Sequence, residues 1–178
     1  INLGPSGMWP CLAVDSDGYP VVAWSTAFIL PFTPSQIQLR RWDGDEWIGL
    51  GDSATPTGLS NMSGKCHTPF MALDSSDYPM VAWIAIPDTV PGQHCYMKRW
   101  TGSDWSEVGG SASGAGVSQL SSPDFASDVS CAFSPDNQPI VTWSKVTPNP
   151  ANIFSPFGNV YLKRYDGEPW IEMDGSGT

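Results

Sequence analysis

The stretch Leu12–Trp24 reads LAVDSDGYPVVAW, and it decides the fold because it recurs along the chain. It returns as MALDSSDYPMVAW at Met71–Trp83 and as CAFSPDNQPIVTW at Cys131–Trp143. The closing tryptophans therefore lie 59 and 60 residues apart. A unit repeated at such a period cannot bury its apolar face alone, so it must stack on its neighbours. The sequence thus predicts a repeat protein.

A second motif follows each copy of the first. It reads RRWDGDEW at Arg40–Trp47, KRWTGSDW at Lys98–Trp105 and KRYDGEPW at Lys163–Trp170. Each repeat contains four runs rich in β-branched and aromatic residues, separated by Gly, Pro, Asp or Asn, and this pattern is typical of β-strands. In the first repeat the expected strands are Cys11–Asp15, Tyr19–Thr26, Ile37–Trp42 and Glu46–Leu50.

The connections between these strands alternate in length. The first and third connections are short and rich in Asp and Gly, as at 15–18 and 43–45, which is what tight hairpins require. The other connections are long, as at 28–35 and 51–69. Short turns and long loops should therefore lie at opposite faces, and we expect ligand binding on the long-loop face.

Four antiparallel strands per repeat predict an all-β fold, a β-propeller built of four-stranded antiparallel blades, with three repeats of about 60 residues in this chain. We expect a single domain, 1–178, with blades at about 7–51, 66–110 and 126–175, and with 1–6 as an extra outer strand. A β-sandwich or a β-helix is the alternative, because turn signals at a fixed period also fit those folds.

The combined pattern resembles the blade repeats of extracellular bacterial and archaeal β-propellers. The first repeat carries it in full, as Ala-x-Asp-x-x-Gly-x-Pro-x-Val-x-Trp followed by Arg-Trp-Asp-Gly-x-x-Trp. It is also distantly similar to the Asp-box repeats of sialidases. The resemblance covers nearly the whole chain and implies the propeller fold, but it implies little about biochemical role, because propellers host many functions.

The first residues are out of phase with a closed ring. The segment Ile1–Gly4 aligns with Ile48–Gly51, so it reads as a fourth strand, yet the last repeat already has its own fourth strand at Trp170–Met173. Three blades are also fewer than the roughly four to eight usual in propellers. We therefore expect a surplus strand that pairs with another copy or with further blades, for example in a six-bladed ring of two chains. Its residues are Ile1, Asn2, Leu3 and Gly4.

Aromatic residues fall into two groups. The repeated Trp24, Trp83 and Trp143 are expected in the cores between blades, since they recur at one position of the repeat. Others lie outside the repeated positions, in or near long loops with much Pro, Ser and Thr and almost no charge, which suits stacking on carbohydrate or packing on protein. These candidate binding residues are Trp9, Phe28, Phe32, Phe154 and Phe157.

Charge excludes one class of partner. The net charge of −10 would repel a phosphate backbone, so nucleic acid is not an expected partner. Six of the eight basic residues recur at equivalent repeat positions, and we predict that they pair with carboxylates such as Asp15 or Asp74 rather than form a binding patch. No membrane span is expected, because no run of eighteen apolar residues occurs.

None of the four cysteines lies in a Cys-x-x-Cys pair. Cys66 precedes the first strand of the second blade and Cys95 opens its third strand, so we predict a disulfide between them. Asn61 begins an Asn-Met-Ser sequon and is a candidate glycosylation site. A Cys2His2 zinc site is an alternative, because His67 and His94 adjoin Cys66 and Cys95, but neighbouring residues of an extended strand point in opposite directions, so no metal is expected. No cofactor is expected either.

Catalysis is not expected either. A glycosidase would need paired carboxylates on the long-loop face, where Asp88 stands nearly alone, and no nucleophile motif surrounds His67 or His94. The sequence therefore favours a non-catalytic extracellular module, secreted or at the cell surface, with a structural or adhesion role and assembly with other copies or further blades. The alternative is a carbohydrate-binding lectin that uses the loop aromatics, and a glycosidase-like enzyme is the less expected one.

Overall fold

The computed structural model describes residues 3–4, 6–27, 34–148, 158–167 and 169–173. Within these ranges the chain forms three four-stranded antiparallel sheets, each in the order of the sequence. Blade 1 contains β1 Gly7–Val14, β2 Pro20–Thr26, β3 Ile37–Trp42 and β4 Trp47–Ile48. Blade 2 contains β5 Gly64–Leu73, β6 Pro79–Pro87, β7 His94–Trp100 and β8 Trp105–Ser106. Blade 3 contains β9 Phe125–Phe133, β10 Pro139–Val146, β11 Asn159–Tyr165 and β12 Trp170–Glu172.

The expected four-stranded blade is confirmed, although its outer strand is shorter than predicted. β3 spans the predicted Ile37–Trp42, whereas β4 covers only Trp47–Ile48. The chain leaves β4 for a 3₁₀ helix at Gly51–Ala54. There the Ser53 hydroxyl donates to the carbonyl of Leu39 at 2.9 Å and accepts from the N–H of Leu50 at 2.9 Å. A side chain thus satisfies backbone groups that a longer β4 would have paired.

The long loop after β4 does not stand away from the blade but runs back along the outer edge of β3. The N–H of Leu59 donates to the carbonyl of Ile37 at 2.9 Å. Gly58 permits this approach, because its φ is +57° and a Cβ there would lie 2.2 Å from the Ile37 oxygen. Gly116 and Val117 make the same approach to Cys95 in blade 2. These loops therefore cover sheet edges that would otherwise be open.

Ion pairs fasten the short turns to the third strand of each blade. The buried carboxylate of Asp15 accepts from the Arg41 guanidinium at 2.6 Å, and Asp74 accepts from Arg99 at 2.6 Å. Each carboxylate also accepts backbone N–H groups of its own turn. In blade 3 a serine replaces the aspartate, and Arg164 pairs with Asp136 instead, at 2.8 Å. The predicted pairing of repeat-position cations with Asp15 and Asp74 is confirmed for Arg41 and Arg99.

The blades stack through two apolar cores built from alternate residues of the same strands. Val81 and Trp83 of β6 face blade 1, while Met80 and Ala82 of the same strand face blade 3. This alternation follows from the two-residue period of a strand buried on both faces. The repeated tryptophans are buried as predicted, with 0% of Trp83 and 2% of Trp143 exposed.

Both ends of the stack leave a sheet face without a neighbouring blade in the described part of the chain. On blade 1, Leu12 is 65% exposed and Val14 is 58% exposed. On blade 3, Val160 is 67% exposed. Trp24 of blade 1 is nevertheless buried, because Gly4 and Gly7 of its own lead-in segment lie against its ring. No helix in the described ranges has the length and apolarity of a membrane span.

Candidate binding grooves between successive blades

A groove of about 300 Å³ lies between blades 1 and 2. One wall is the segment after β4, with Gly51, Asp52, Leu59 and Asn61. The opposite wall is the β7–β8 hairpin of blade 2. This wall contributes Lys98, Trp100, Ser103, Asp104 and Trp105. The stacking of two blades therefore assembles the first groove, which neither blade could form alone.

Lys98 brings a cation to this groove. Its ammonium donates to the carbonyl of Leu59 across the blade junction at 2.9 Å. An ammonium group has three N–H donors, so this one hydrogen bond does not use its full donor capacity. Burial lowers the pKa of Lys98, while the carboxylate of Glu107 acts in the opposite direction. The group is a partly desolvated donor whose hydrogen bonds to ligand oxygens would be charge-assisted.

The aromatic wall is fixed by packing and by one hydrogen bond. The ring centroids of Trp100 and Trp105 lie 5.7 Å apart. The indole N–H of Trp105 donates to the carbonyl of Leu50 at 2.8 Å, which ties the hairpin of blade 2 to blade 1. Gly51 lies so close to Trp100 that a Cβ would be 3.0 Å from its ring. Trp105 is half-buried, and it presents apolar surface beside polar groups.

The same arrangement recurs between blades 2 and 3. A groove of about 460 Å³ is lined by Gly109, Gln119, Lys163, Pro169 and Trp170. The ammonium of Lys163 donates to the carbonyl of Val117 at 3.1 Å, and the indole of Trp170 donates to that of Val108 at 2.9 Å. Tyr165 packs on Trp170 with ring centroids 5.5 Å apart. The two grooves are thus copies of one site, related by the repeat.

The acidic side chains distinguish the first groove. Asp52 and Asp104 line it, and both are exposed. Carboxylate oxygens accept hydrogen bonds from hydroxyl groups, while the Lys98 ammonium donates to hydroxyl oxygens. Ring C–H groups can at the same time pack on an indole face. The first groove therefore offers the three kinds of contact that a polyhydroxylated ring can use together.

The residues predicted to bind ligand lie elsewhere or outside the described ranges. Phe28, Phe32, Phe154 and Phe157 fall outside the described residues. Trp9 is 37% exposed and lies against His67, with ring centroids 5.6 Å apart. Trp9 is not among the residues that line either groove.

The segment predicted to pair with another copy is described only in part. Ile1 and Asn2 lie outside the described residues, and Leu3 and Gly4 form no strand. Gly4 lies against Trp24 instead. The pairing of this segment in an assembly stays a prediction.

The structure contradicts the predicted disulfide between Cys66 and Cys95. Both thiols are free, and the strands that carry them are separated by β6. Cys66 faces the core shared with blade 1, whereas Cys95 faces the core shared with blade 3. The prediction was wrong because it placed the residues at one end of the blade without assigning a sheet face to each. Burial raises the pKa of the Cys66 thiol to about 11.

Asn61 is exposed at the rim of the first groove. Its φ of +44° is one that asparagine adopts more readily than most residues. Glycosylation there stays a prediction. A glycan attached at this position would lie at the rim of the first groove.

The sequence analysis did not identify these grooves, although the sequence contains a signal for them. Arg40, Lys98 and Lys163 each precede an arginine in the third strand of a repeat. Adjacent strand residues point to opposite faces, so only one cation of each pair could meet the turn carboxylate. The other cation had to face a neighbouring blade, and that is where Lys98 and Lys163 lie.

Neither a protein-family model nor a curated protein sequence matches the chain. Several solved structures match it. A fucose lectin from Kordia zhangzhouensis, in complex with methyl-fucoside, matches with a TM-score of 0.50 and 14% identity over 93% of this chain and 97% of the lectin. A Hadza microbial sialidase matches with a TM-score of 0.58 and 10% identity over 94% of this chain. A xylan β-1,4-xylosidase from Bacillus halodurans C-125 matches with a TM-score of 0.57 and 16% identity over 93% of this chain.

These similarities establish the fold. The matching proteins are β-propellers, so the three stacked sheets are propeller blades. The chain spans nearly the whole of the lectin, but only 37% of the sialidase and 30% of the xylosidase. Sequence identities this low show that the fold is shared, but they do not identify the residues of any active site.

The same comparison corrects the expectation that the chain is not an enzyme. That prediction was wrong in its premise, because the structures that match are mostly enzymes, among them a sialidase, a xylosidase and an arabinofuranosidase. A lectin is also among them. The propeller fold of this chain is therefore one that serves catalysis as well as binding, and scarcity of sequence motifs is no ground for excluding catalysis.

Proposed function

We propose that the chain binds carbohydrate in the grooves between its blades. The observation that carries the proposal is the repetition of one site. At each junction, a half-buried tryptophan and a lysine from the third–fourth strand hairpin of one blade face the outer segment of the preceding blade. This replaces the long-loop aromatics with Trp105 and Trp170 as the principal sugar-facing side chains.

The chemistry of the lining favours a neutral, hydroxyl-rich ring in the first groove. Trp105 offers an indole surface for the C–H face of a sugar. Lys98 donates to sugar oxygens, and the carboxylates of Asp52 and Asp104 accept from sugar hydroxyls. A volume of about 300 Å³ suits one or two sugar rings rather than a long buried chain.

Repetition itself supports a binding role. Two equivalent grooves on one rigid stack can engage two residues of one polysaccharide, or two glycans of one surface. The second contact then becomes intramolecular, and the avidity can exceed the affinity of either groove by a factor of roughly 10² or more. Weak individual sites are therefore compatible with firm attachment to a glycan-bearing surface.

The test is a binding comparison on a glycan array and by calorimetry. We expect Lys98→Met and Trp105→Ala to abolish binding in the first groove, and Lys163→Met and Trp170→Ala to abolish it in the second. Lys145→Met is the matched control, since Lys145 pairs with Asp124 and lines neither groove. Loss of more than about tenfold in affinity per groove corresponds to roughly 1.4 kcal/mol.

Two outcomes would contradict the proposal. If the parent binds sugar and the four groove variants bind it with unchanged affinity, the site lies elsewhere on the chain. If no sugar on an array of neutral, uronic and sialylated glycans binds the folded parent, carbohydrate binding itself is wrong. Far-ultraviolet circular dichroism of each variant separates a lost site from a lost fold.

A second proposal concerns the setting in which these grooves work. We propose that the module acts outside the cell, as a secreted or surface protein, and assembles with other copies or with further blades. The exposed apolar residues on the end blades support assembly, because Leu12, Val14 and Val160 occupy faces that are buried at the internal junctions. Recovery of the native protein only from the cytoplasmic fraction of its source would contradict the extracellular part.

A further inference from the structure

We propose that a small zwitterion, an α-amino acid with an apolar side chain, binds in a cavity between blades 1 and 2 on the side of the short turns. The cavity has a volume of about 260 Å³ and is lined by residues of both blades. It lies beside the first groove, with which it shares Trp100. Binding of this ligand does not depend on carbohydrate binding in the grooves.

The lining residues of blade 1 follow the order of its strands. Asp17 lies in the turn between β1 and β2, Arg41 lies on β3, and Leu50 follows β4. Neighbouring strands lie about 4.8 Å apart, so these residues place a carboxylate, a guanidinium and an apolar side chain in succession across the cavity. An α-amino acid carries the matching groups, which are an ammonium, a carboxylate and a side chain.

Two carboxylates form the acidic end of the cavity. Asp77 of blade 2 accepts from the N–H of Ser16 at 3.0 Å and from the hydroxyl of the same residue, so it lies close to Asp17. A carboxylate has about four lone-pair sites, so these bonds do not use the full acceptor capacity of Asp77. The ammonium of an amino acid would form charge-assisted hydrogen bonds with both carboxylates.

Arg41 supplies the opposite charge. Its Nε and Nη2 groups donate to the same oxygen of Asp15, Oδ2, at 2.9 and 2.6 Å. A guanidinium has five N–H donors, so these two bonds do not use its full donor capacity. The Arg41 side chain is 28% exposed and lines the cavity. It can therefore donate to the carboxylate of a ligand while it remains paired with Asp15.

Aromatic and aliphatic side chains form the apolar end of the cavity. Trp100 is buried, and its ring packs against Gly51, which follows Leu50. Tyr78 is exposed and also lines the cavity. Pockets for drug-sized ligands have volumes of roughly 300 Å³ and above, so this smaller cavity suits a single amino acid whose side chain packs on these residues.

The junction between blades 2 and 3 shows that blade stacking does not require the two carboxylates. There Asn137 bonds Ser75 across the junction, as Asp77 bonds Ser16 in the first junction. The amide thus makes the same link between turns without a charge. The positions of Asp17, Asp77 and Tyr78 are occupied in the second junction by Ser76, Asn137 and Gln138. Packing of the blades therefore does not account for the acidic and phenolic groups of the first junction.

The arginine also has different surroundings in the two junctions. In the second junction the Phe133 ring covers the Arg99 guanidinium, with 5.0 Å between the guanidinium carbon and the ring centroid. In the first junction the smaller, aliphatic Leu73 occupies the position of Phe133, and Arg41 lines the cavity. We therefore expect one bound amino acid per chain, at the first junction.

The first test varies the ligand. Isothermal titration calorimetry of the full chain with L-leucine should show one bound molecule per chain. L-leucine methyl ester lacks the carboxylate and N-acetyl-L-leucine lacks the ammonium, so each should bind at least about tenfold more weakly than L-leucine. Glycine should also bind more weakly, because it has no side chain to pack on Trp100 and Leu50.

Each of these ligands can contradict one part of the site. Equal affinity for the ester overturns the role of Arg41, and equal affinity for the acetylated form overturns the role of the carboxylates. Equal affinity for glycine overturns the role of the apolar residues. If none of the standard amino acids binds the folded chain at millimolar concentration, the whole inference is wrong.

The second test varies the protein. Asp17→Asn and Asp77→Asn should each weaken L-leucine binding at least about tenfold, because each removes a charged acceptor for the ammonium. Asp77→Asn should fold as the parent does, because Asn137 makes the equivalent link between turns in the second junction. Asp45→Asn is the matched control, since Asp45 is an exposed turn carboxylate of blade 1 that does not line the cavity. Unchanged affinity in both cavity variants, with circular dichroism like that of the parent, would overturn the site.

Discussion

Equivalent residues of this chain share a position in the repeat, but their surroundings decide what each of them does. Trp83 and Trp143 are buried between blades and stack on Tyr96 and Tyr161, with ring centroids 6.2 and 6.0 Å apart. Their burial is predictable from the sequence, because a residue that recurs at one phase meets the same neighbour each time. The groove lysines were harder to predict, because a pair such as Lys98 and Arg99 reads as one basic cluster until each residue is assigned to a face of its strand.

Replacement of Trp83 by alanine tests whether this single residue belongs to the core between the blades. Trp83 is fully buried, so Trp83→Ala should lower the free energy of unfolding by about 3–5 kcal/mol through lost apolar contact and the cavity left behind. Urea denaturation measures the change. Trp9→Ala, at an aromatic residue that is 37% exposed, should cost far less and serves as the control. Equal midpoints for Trp83→Ala and the parent would contradict the assignment of Trp83 to the core.

Among the elements, the turns and inner strands follow the sequence more closely than the outer strand does. The Asp15 and Asp74 turns could be read directly, because Asp and Gly at fixed spacing specify a hairpin. The shortness of β4 could not, since it depends on Ser53 reaching the Leu39 carbonyl, a contact made only after the loop has folded back. The same fold-back lays the long loop after β4 along one wall of each groove, whereas the sequence predicted that the long loops would form a separate binding face.

The turn carboxylates make a pH-dependent contribution to stability. Burial alone would raise the pKa of Asp74, but the Arg99 guanidinium and the N–H groups of Tyr78 and Ser76 outweigh it and lower the pKa. The folded chain therefore binds fewer protons than the unfolded chain near the ordinary carboxyl value of 3.8. The stabilisation is present above that value and is lost as the pH falls below it.

The variant Asp74→Asn isolates this effect. At neutral pH it should be less stable than the parent by roughly 2 kcal/mol, because Arg99 loses a charged acceptor. As the pH falls below the ordinary carboxyl value of 3.8, it should lose less stability than the parent does, because the carboxylate with the lowered pKa is gone. Thermal melts across this range measure both. Asp88→Asn, at an exposed carboxylate, is the control, and a parallel pH profile for Asp74→Asn and the parent would contradict the account.

At the scale of the whole molecule, stacking joins three similar sheets into an array in which the proposed binding grooves lie between the sheets. The propeller architecture was predictable from the period and the strand count. The location of the grooves was not, because it depends on which residues of blade 1 meet the β7–β8 hairpin of blade 2, and a repeat pattern does not specify that contact. Trp105 bonding to Leu50, 55 positions earlier, is such a contact.

The measurement that tests the central claim most directly is a crystal structure of the chain soaked with the tightest-binding sugar found on the array. The account predicts sugar density in the first groove, with a ring against Trp105 and an oxygen within hydrogen-bonding distance of the Lys98 ammonium. Equivalent density should occur beside Trp170 and Lys163. Sugar bound beside Trp9 or another part of the long-loop face, with both interblade grooves empty, would contradict it.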